Sequence, residues 1–406
     1  MNFTFSEEQN LFRDSIRRYL EETYPFEARA KTLEHPNGYP EELWQSLAEL
    51  GWLALPFAEE YDGLGGSTVD SMIVMEEIGR ALLVSPFLST VLLSGQLIAA
   101  AGTEGQKRDL IPQIGTGQLK LALAFAEPAS GYDITQVATT AQKEGPGYRL
   151  NGSKCTVFHA QSADIIIVVA RTSGAVDDQE GLSLFRLDPT MDGLEIKNYR
   201  THDGGTASDI VFDDVFLPDK ALLGGVGTAY PHLKKVIDQV SVALCAEASG
   251  AMWAISEQSG AYFKTREQFG QNLGSFQALQ HRLVEVYMKC QLSQSLVYDA
   301  VCALDDFGDD FGDDFYVLKQ SADGDITNIA QKVSQKVSAA KYQVGMDARS
   351  VGQEGIQFHG GMGMMTELPI GHYYKRITMI NATFGDPRYH LKRYRDIMCQ
   401  SINSAA

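Results

Sequence analysis

A single carboxylate interrupts a run of small and apolar residues near the middle of the chain. Residues 243–252 read "ALCAEASGAM", and Glu247 is the acid in this stretch. Burial disfavours the charged form of a carboxyl group, so a glutamate in apolar surroundings gains proton affinity. Such a group suits general-base chemistry near neutral pH. The alternative interpretation is structural, with Glu247 facing solvent or an ion-pair partner inside a helical bundle.

The spacing of nearby residues favours an interior position for Glu247. Asp238 precedes it by nine residues, or 2.5 helical turns, so the two acids would face opposite sides of one helix. If Asp238 faces water, Glu247 faces the interior. The residues one turn away from Glu247 include no basic partner; they are Ala243, Leu244, Gly250 and Ala251. We therefore predict that Glu247 is buried and accepts a proton.

Composition and charge exclude several classes of function. The chain has 406 residues, 44% of them hydrophobic and 21% charged, as in globular proteins with two or three domains. Its formal net charge of −18 argues against nucleic acid or an anionic membrane as a partner. The five scattered cysteines form neither a disulfide framework nor a zinc-ligand pattern, so no metal is expected. The N-terminal "MNFTFSEEQN" lacks the features of a signal peptide, and we expect a cytoplasmic protein.

Hydrophobic periodicity divides the chain into three zones. Residues 1–117 show helical patterns, with a capping box at Ser6 and Gln9. Residues 118–226 contain short β-branched and aromatic segments, and Asn151-Gly152 is predicted to form a hairpin turn between two of them. Residues 227–406 return to a helical pattern. It is interrupted by "DDFGDDFGDDFY" at 305–316, which is predicted to be a solvated acidic loop rather than a metal site.

Three stretches in order resemble the acyl-CoA dehydrogenase family. "AFAEPASGYD" (124–133) resembles its T-E-P-G-x-G-S-D loop, and "KTREQFGQNLGSFQALQHRL" (264–283) its R-x-x-F-G-x-x-x-x-x-x-Q segment. "EGIQFHGGMGMMTELPIGHYYKRI" (354–377) resembles the Q-x-x-G-G-x-G-x-x-x-E-x-P segment. The resemblance implies an α+β fold with an N-terminal helical domain, a middle β-barrel-like sheet domain and a C-terminal four-helix bundle.

The same resemblance implies FAD as the cofactor, bound between the sheet domain and the bundle, with its adenosine half reaching a neighbouring subunit. Arg266 suits the pyrophosphate because its planar fork matches phosphate oxygens. Glycine allows the dinucleotide a close approach to the backbone. The cofactor-binding residues implied on the adenosine side are Arg266, Phe269, Phe276, Gln277, Gln357, Gly360 and Gly361, and those on the flavin-ring side are Phe125, Ala126, Thr156 and Phe158.

The sequence departs from the family where many members carry their catalytic base. That glutamate follows the glutamine of Q-x-x-G-G by about 27 residues, and here Phe384 occupies its place, followed by Gly385 and Asp386. Phenylalanine accepts no proton. Some members supply the base from the first long helix of the bundle, where Glu247 lies, so Glu247 is the first candidate and Asp386 the second.

The flavin-ring side also departs from the family pattern. Ala126, Tyr132, Thr156 and Phe158 stand where the family usually has threonine, serine, tryptophan and threonine. In this respect the chain resembles one subunit of the family's α2β2 heterotetramers, such as the small subunit of pimeloyl-CoA dehydrogenase. The implied substrate-binding residues are Tyr132, Asp238, Phe384 and Gly385.

The leading functional prediction is FAD-dependent α,β-dehydrogenation of a bulky or dicarboxylyl acyl-CoA, with an electron-transferring flavoprotein as acceptor and a homo- or hetero-tetramer as the assembly. The first alternative is a non-catalytic subunit that completes a neighbour's FAD site. A further alternative is a flavin monooxygenase or nitroalkane oxidase, because one fold supports several chemistries.

Overall fold

The computed structural model describes residues 5–311 and 324–405. The part before the sheet is helical, as predicted. A π-helical run, Leu88–Gly95, precedes the fifth α-helix directly. The helices are α1 Glu7–Thr23, α2 Phe26–Glu34, α3 Glu41–Glu49, α4 Thr68–Ala81, α5 Gln96–Ala101 and α6 Glu104–Gly115.

The start of α1 confirms the predicted capping box. The Gln9 N–H donates to the Ser6 hydroxyl and the Ser6 N–H donates to the Gln9 side chain, both at 3.1 Å. These two bonds satisfy backbone donors that have no partner within the helix. Ile16 and Leu20 are buried on the inner face of α1, whereas Leu11 is 65% exposed.

An eight-stranded sheet follows. Its strand order is β6-β7-β3-β2-β4-β5-β8, and β1 pairs in parallel with β4. Strands β1 and β4 are buried on both faces, which explains their nearly continuous apolar sequences. The strands are β1 Leu121–Ala124, β2 Thr140–Glu144, β3 Gly147–Phe158, β4 Ile165–Arg171, β5 Leu182–Leu187, β6 Leu194–Arg200, β7 Thr206–Pro218 and β8 Leu222–Leu223.

The predicted hairpin turn at Asn151-Gly152 is wrong. Both residues lie inside β3, where the register with β7 shifts between Leu150 and Gly152. Gly152 adopts φ +144°, and a Cβ there would lie 2.6 Å from the Thr139 hydroxyl. The glycine thus marks a bulge rather than a turn. The actual β2–β3 turn follows Glu144, which pairs with Gly147.

The helical bundle begins with α7, whose 37 residues pack against α4, α8 and α9. A short hairpin, β9–β10, separates α7 from α8. The elements are α7 Ala229–Thr265, β9 Glu267–Gln268, β10 Gln271–Asn272, α8 Gln277–Phe311, α9 Gly324–His359, α10 Pro369–Ala382 and α11 Pro387–Ala405. The predicted order of helices, sheet and bundle is confirmed.

The prediction of a solvated loop at 305–316 is wrong for its first half. Helix α8 continues to Phe311, and residues 312–316 lie outside the described residues. The Asp305 carboxylate accepts hydrogen bonds from the backbone N–H groups of Thr68, at 2.9 Å, and Val69, at 3.3 Å. Asp305 therefore caps α4, where the helix dipole favours a negative charge. No cluster of potential metal ligands occurs in the described part of the chain.

Candidate active site at the junction of three domains

Glu247 lies inside the molecule, 3% exposed, where α7 crosses α4. Two glycines allow this close crossing. A Cβ at Gly79 of α4 would lie 1.9 Å from the Glu247 carbonyl oxygen, and a Cβ at Gly250 would lie 1.9 Å from the Glu76 carbonyl oxygen. No side chain fits at either position, so the backbones touch directly. The interior position expected for Glu247 is confirmed, whereas its role as proton acceptor stays a prediction.

Arg376 of α10 binds both oxygens of the Glu247 carboxylate. Its Nε lies 2.5 Å from Oε1 and its Nη2 lies 2.7 Å from Oε2. Its Nη1 donates to Oδ2 of Asp203 at 2.7 Å. Burial alone would lower the pKa of Arg376, but the two carboxylates outweigh burial and raise it above its ordinary value. Arg376 therefore stays charged between the two acids.

Residues from each of the three zones meet at Asp203, which lies on the loop between β6 and β7. Arg29 of α2, 2% exposed, donates to the Asp203 carbonyl oxygen at 2.9 Å, while Arg376 binds its side chain. Burial raises the pKa of Asp203, but Arg376 and the Thr201 hydroxyl bring it below the usual range. Two arginines and two acids thus form one cluster, which we call the junction cluster: Arg29, Asp203, Glu247 and Arg376.

A cavity of about 70 Å³ adjoins the junction cluster. All four cluster residues line it. Its apolar walls are Leu82, Leu83, Val84, Leu88, Leu93, Phe158 and Leu244, and Thr383 also borders it. His159 completes the polar lining, and burial together with Arg376 lowers the pKa of His159 to about 4. Glu247 consequently shares a cavity with the residue preceding Phe384, the position at which many family members carry their base.

Phe384 lies in the turn between α10 and α11, with φ +55°. Its ring stacks on Phe125, which follows β1, with centroids 5.8 Å apart and planes inclined by 23°. The structure thus brings together a residue predicted for the flavin-ring side and one predicted for the substrate. The next glycine, Gly385, has φ +114°, and Asp386 accepts the Tyr389 N–H at 2.8 Å. Asp386 therefore caps α11, a structural role for the second base candidate.

The expectation that Asp238 faces water is wrong, because it is 1% exposed. Helix α7 lies at the centre of the bundle, so the side opposite Glu247 is covered by α9 and α11. Arg393 of α11 lies 2.7 Å from Oδ1, and the Ser334 hydroxyl of α9 donates to Oδ2 at 2.9 Å. Burial raises the pKa of Asp238, but Arg393 and Lys234 outweigh it and hold the pKa well below its usual range. Asp238 does not line the cavity next to Glu247.

The residues predicted for the adenosine side occupy the opposite end of the bundle. Arg266, Gln277, Gln357, Gly360 and Gly361 are all exposed, at the ends of α7, α8 and α9. Among residues 5–311 and 324–405, no carboxylate pairs with Arg266. A Cβ at Gly360 or Gly361 would meet nothing within 4 Å, so the backbone is open to a ligand.

Two aromatic residues complete this surface. Phe269 is 90% exposed at the tip of the β9–β10 hairpin, and its ring meets Phe276 edge to face at 6.2 Å. Free donors, an unpaired guanidinium and an exposed aromatic ring are what an anionic dinucleotide binds. These residues fit the adenosine and pyrophosphate of FAD.

The residues predicted for the flavin-ring side, and Tyr132 beside them, already make contacts within the protein. Phe158 lines the cavity, whereas Thr156 has φ +53° and its N–H donates to Asp209 at 3.1 Å. The Ala126 carbonyl accepts the Cys155 N–H at 2.9 Å. Tyr132 is 37% exposed, and its ring contacts Tyr389 of α11 at 5.4 Å between centroids.

Comparison with known proteins identifies the family. Models of the acyl-CoA dehydrogenase N-terminal, middle and C-terminal domains match residues 6–118, 122–215 and 233–394. The chain belongs to the acyl-CoA dehydrogenase family. It is 30% identical over 380 residues to the mitochondrial long-chain specific acyl-CoA dehydrogenase of Sus scrofa, covering 91% of this chain and 81% of that one. Members of this family bind FAD and dehydrogenate acyl-CoA thioesters.

Solved structures agree with this assignment of the acyl-CoA dehydrogenase fold. A variant of the Tcur3481–Tcur3483 steroid ACAD superposes with a TM-score of 0.81 at 26% identity, covering 98% of this chain and 99% of that one. An FAD complex of PigA superposes with a TM-score of 0.84 at 22% identity, with the same coverage. No helix in the described ranges has the length and hydropathy needed to cross a membrane.

Sequence reasoning missed Arg29, Asp203, His159 and Arg376. Arg376 ends one of the family-like segments, but it is 129 residues from Glu247, and no sequence spacing relates the two. Only the packing of α10 against α7 brings them into contact.

Proposed function

We propose that this chain catalyses the α,β-dehydrogenation of a bulky or dicarboxylyl acyl-CoA, with Glu247 accepting the α-proton. The observation that carries the proposal is the position of the Glu247 carboxylate, which lines the same cavity as Thr383 and Phe158. A base at this point shares its cavity with Thr383, which precedes Phe384, and with Phe158, which is predicted for the flavin-ring side. Similarity to the steroid ACAD supports a bulky acyl group.

In the proposed reaction the Cα–H bond breaks, and its proton passes to an oxygen of Glu247. The electron pair left on Cα forms the new double bond as the Cβ–H bond breaks. FAD, which Arg266 and Gln357 would hold, would supply the acceptor for the hydride that leaves Cβ. The backbone N–H of Phe384 donates to the thioester carbonyl oxygen, where negative charge develops, and this role needs no particular side chain.

Arg376 controls the proposed base. Two charge-assisted hydrogen bonds favour the ionised form of a carboxyl group, so the proposed proton transfer requires the contact between Arg376 and Glu247 to rearrange. Asp203 still holds Nη1 of Arg376 at 2.7 Å, so the guanidinium keeps a charge partner while Glu247 is protonated. The leucines of the cavity wall make the surroundings of Glu247 less polar than water, which strengthens each electrostatic interaction there.

A second candidate function, the non-catalytic subunit, is favoured by two observations. Both oxygens of Glu247 are already bound, and Phe125 stacks on Phe384 between the sheet and the bundle. The exposed Arg266, Gln277 and Gln357 would then serve the flavin of a neighbouring chain. In this form the assembly is a mixed tetramer like that of the pimeloyl-CoA dehydrogenase type.

Purification of the chain alone, and together with a dehydrogenase-like chain encoded next to it, separates the candidates. A catalytic chain binds one FAD per copy and its flavin bleaches on anaerobic mixing with acyl-CoA. A completing subunit binds flavin only with its partner. Reoxidation by an electron-transferring flavoprotein supports dehydrogenation, whereas rapid reoxidation by O₂ with an oxygenated product would point to a monooxygenase. A homotetramer with one FAD per chain and full activity would exclude the mixed assembly.

A further inference from the structure

We infer that His390 is a positioning residue that fixes the Phe384 turn, residues 383–386, for binding of the thioester carbonyl. This inference rests on the proposed function, because it concerns the turn that carries the Phe384 N–H assigned there to the thioester. No sequence motif singles out His390. His390 lies in α11, six residues after Phe384, and its ring points back towards the Phe384 turn.

The Phe384 turn has a strained backbone that needs support. A residue other than glycine in the left-handed region costs roughly 1–2 kcal/mol, and Phe384 adopts φ +55°. The Phe384 carbonyl oxygen accepts a hydrogen bond from His390 Nε2 at 3.0 Å. The bond supplies a partner for this partly buried carbonyl group, and so favours the strained conformation.

Because the peptide group is planar, the bond from His390 to the Phe384 carbonyl also orients the Gly385 N–H. In a trans peptide the C=O of one residue and the N–H of the next point in opposite directions. Because His390 holds the Phe384 carbonyl towards α11, the Gly385 N–H points away from His390. In the described part of the chain, neither the Phe384 nor the Gly385 N–H donates to a protein acceptor. Two donors on the turn therefore have no acceptor in that part of the chain.

The ionisation of His390 suits this role. His390 is 1% exposed, and burial lowers its pKa to about 3. The neutral ring has one N–H, and the contact with the Phe384 carbonyl places that hydrogen on Nε2. Nδ1 then faces the Ser338 hydroxyl at 3.5 Å as an acceptor. Lys341, Arg393 and Asp238 contribute the charges around the ring, with Lys341 contributing the largest charge effect.

Lys341 of α9 binds the end of α10 that leads into the Phe384 turn. Its Nζ, in a side chain 2% exposed, donates to the Ile380 carbonyl at 2.5 Å, and that carbonyl also accepts the Thr383 N–H at 3.2 Å. The Ile380 carbonyl, in the last turn of α10, and the carbonyl of Phe384 are thus both held from the bundle side. A donor on α9 and a donor on α11 together fix the connection between α10 and α11.

The test compares His390→Gln, whose amide N–H can replace Nε2–H, with His390→Asn, which is too short, and His390→Leu, which has no donor. The probe is 4-(dimethylamino)cinnamoyl-CoA, a chromophoric enoyl thioester whose absorption moves to longer wavelength when its carbonyl is polarised. It is bound to the flavin-loaded, oxidised protein, so no turnover is needed. Ser338→Ala is the control, because it removes only the weaker contact at Nδ1.

We expect the wild type, Ser338→Ala and His390→Gln to shift the probe absorption, and His390→Asn and His390→Leu to lose most of the shift. The rate constant for anaerobic flavin bleaching by pimeloyl-CoA should fall in the two defective variants by up to about 10²–10³, the scale of one lost oxyanion donor. The dissociation constant for the probe should change less than about threefold, because the CoA contacts remain.

Two results would have different meanings. A full wild-type shift in His390→Leu or His390→Asn with normal flavin content would overturn the positioning role and leave the proposed function intact. Absence of a shift in the wild type itself would contradict donation by the Phe384 turn, and therefore the proposed function. If His390→Leu does not fold, the comparison of His390→Gln with His390→Asn decides.

Discussion

The two ends of the predicted FAD site differ in the burial and pairing of their polar side chains. At the flavin-ring end, Glu247, Asp203 and Arg376 are bound to each other inside the molecule, and Phe125 covers Phe384. At the adenosine end, Arg266 and Gln357 face solvent. The two acids at the ring end are buried and paired with an arginine of the same chain, whereas the side chains predicted to bind the cofactor at the adenosine end are exposed. The difference agrees with the proposal that the adenosine end binds a ligand and that Glu247 acts at the ring end.

The largest expected effect is at the ring end. Glu247→Gln should lower the rate of anaerobic flavin bleaching by about 10²–10⁴, the usual loss when a general base is removed. The fold and flavin content should be retained, because the amide keeps the shape of the side chain. Glu257→Gln is the control, since Glu257 lies on the same helix but is 57% exposed and paired with Arg80. Bleaching at the wild-type rate by Glu247→Gln would favour the non-catalytic subunit.

Removal of Arg376 tests whether the ring end is held by charge pairing. Arg376→Met should lower the free energy of unfolding by about 3–5 kcal/mol, because it leaves two buried carboxylates without a partner. Urea unfolding followed by circular dichroism measures this change. Arg395→Met is the control, because its pair with Asp396 lies at the surface and should contribute less than about 1 kcal/mol. Equal stabilities of the two variants would contradict the junction cluster as a structural unit.

The adenosine end should respond in the opposite way, with loss of cofactor and little loss of stability. Arg266→Ala should weaken FAD binding about 10- to 100-fold, because a charge-assisted hydrogen bond contributes roughly 1.5–3 kcal/mol. Flavin absorbance per chain after gel filtration measures occupancy. Lys264→Ala provides the control, since Lys264 is an exposed basic residue two positions away. Unchanged occupancy in Arg266→Ala would count decisively against the assignment.

Buried histidines make the bundle sensitive to acid. The pKa of His390 is about 3 in the folded protein, and about 6.5 in an unfolded chain. Between these values the unfolded state binds the extra proton, so stability falls as the pH decreases below about 6.5. The contribution of His390 at pH 5 is a loss of about 2 kcal/mol relative to pH 7. Urea unfolding at the two pH values should show that His390→Gln reduces this difference; an identical difference in the variant would contradict it.

The smallest expected effect is that of removing the aromatic ring of Phe384. Phe384→Ala should change acyl-chain preference by a few-fold while leaving the bleaching rate for the best substrate within about tenfold, because the backbone donor remains. Bleaching rates for a series of acyl-CoA esters of different length and width measure it. Phe216→Ala, which alters a 40% exposed ring on the sheet, serves as control. A uniform loss of rate for all esters would show that Phe384 acts on the chemical step instead.

Local signals in the sequence predicted local structure well. The capping box at Ser6 and Gln9 formed, because both partners lie within one turn. Asn151-Gly152 failed as a turn signal, since the strand β7 beside it continues the ladder and leaves the glycine to make a bulge. The predicted order of helices, sheet and bundle held because periodicity changes over long segments.

The site was harder to predict than the fold. The small residues around Glu247 correctly indicated an interior position, because only a close helix crossing uses them. The reasoning from Asp238 failed, since a central helix has no solvent side and Asp238 finds Arg393 on α11. Arg376 could not be assigned to Glu247, because contacts between distant helices depend on packing that no short spacing encodes.

The glycine crossing of α4 and α7 limits how the protein can open for a substrate. With Gly79 against the Glu247 carbonyl and Gly250 against the Glu76 carbonyl, neither helix can slide along the other without collision. A hinge movement that swings the whole N-terminal domain away from the bundle would have to separate this contact. The crossing therefore fixes the depth of Glu247 relative to α4, whereas the segment beyond α4, residues 82–93, contributes one wall of the cavity beside it.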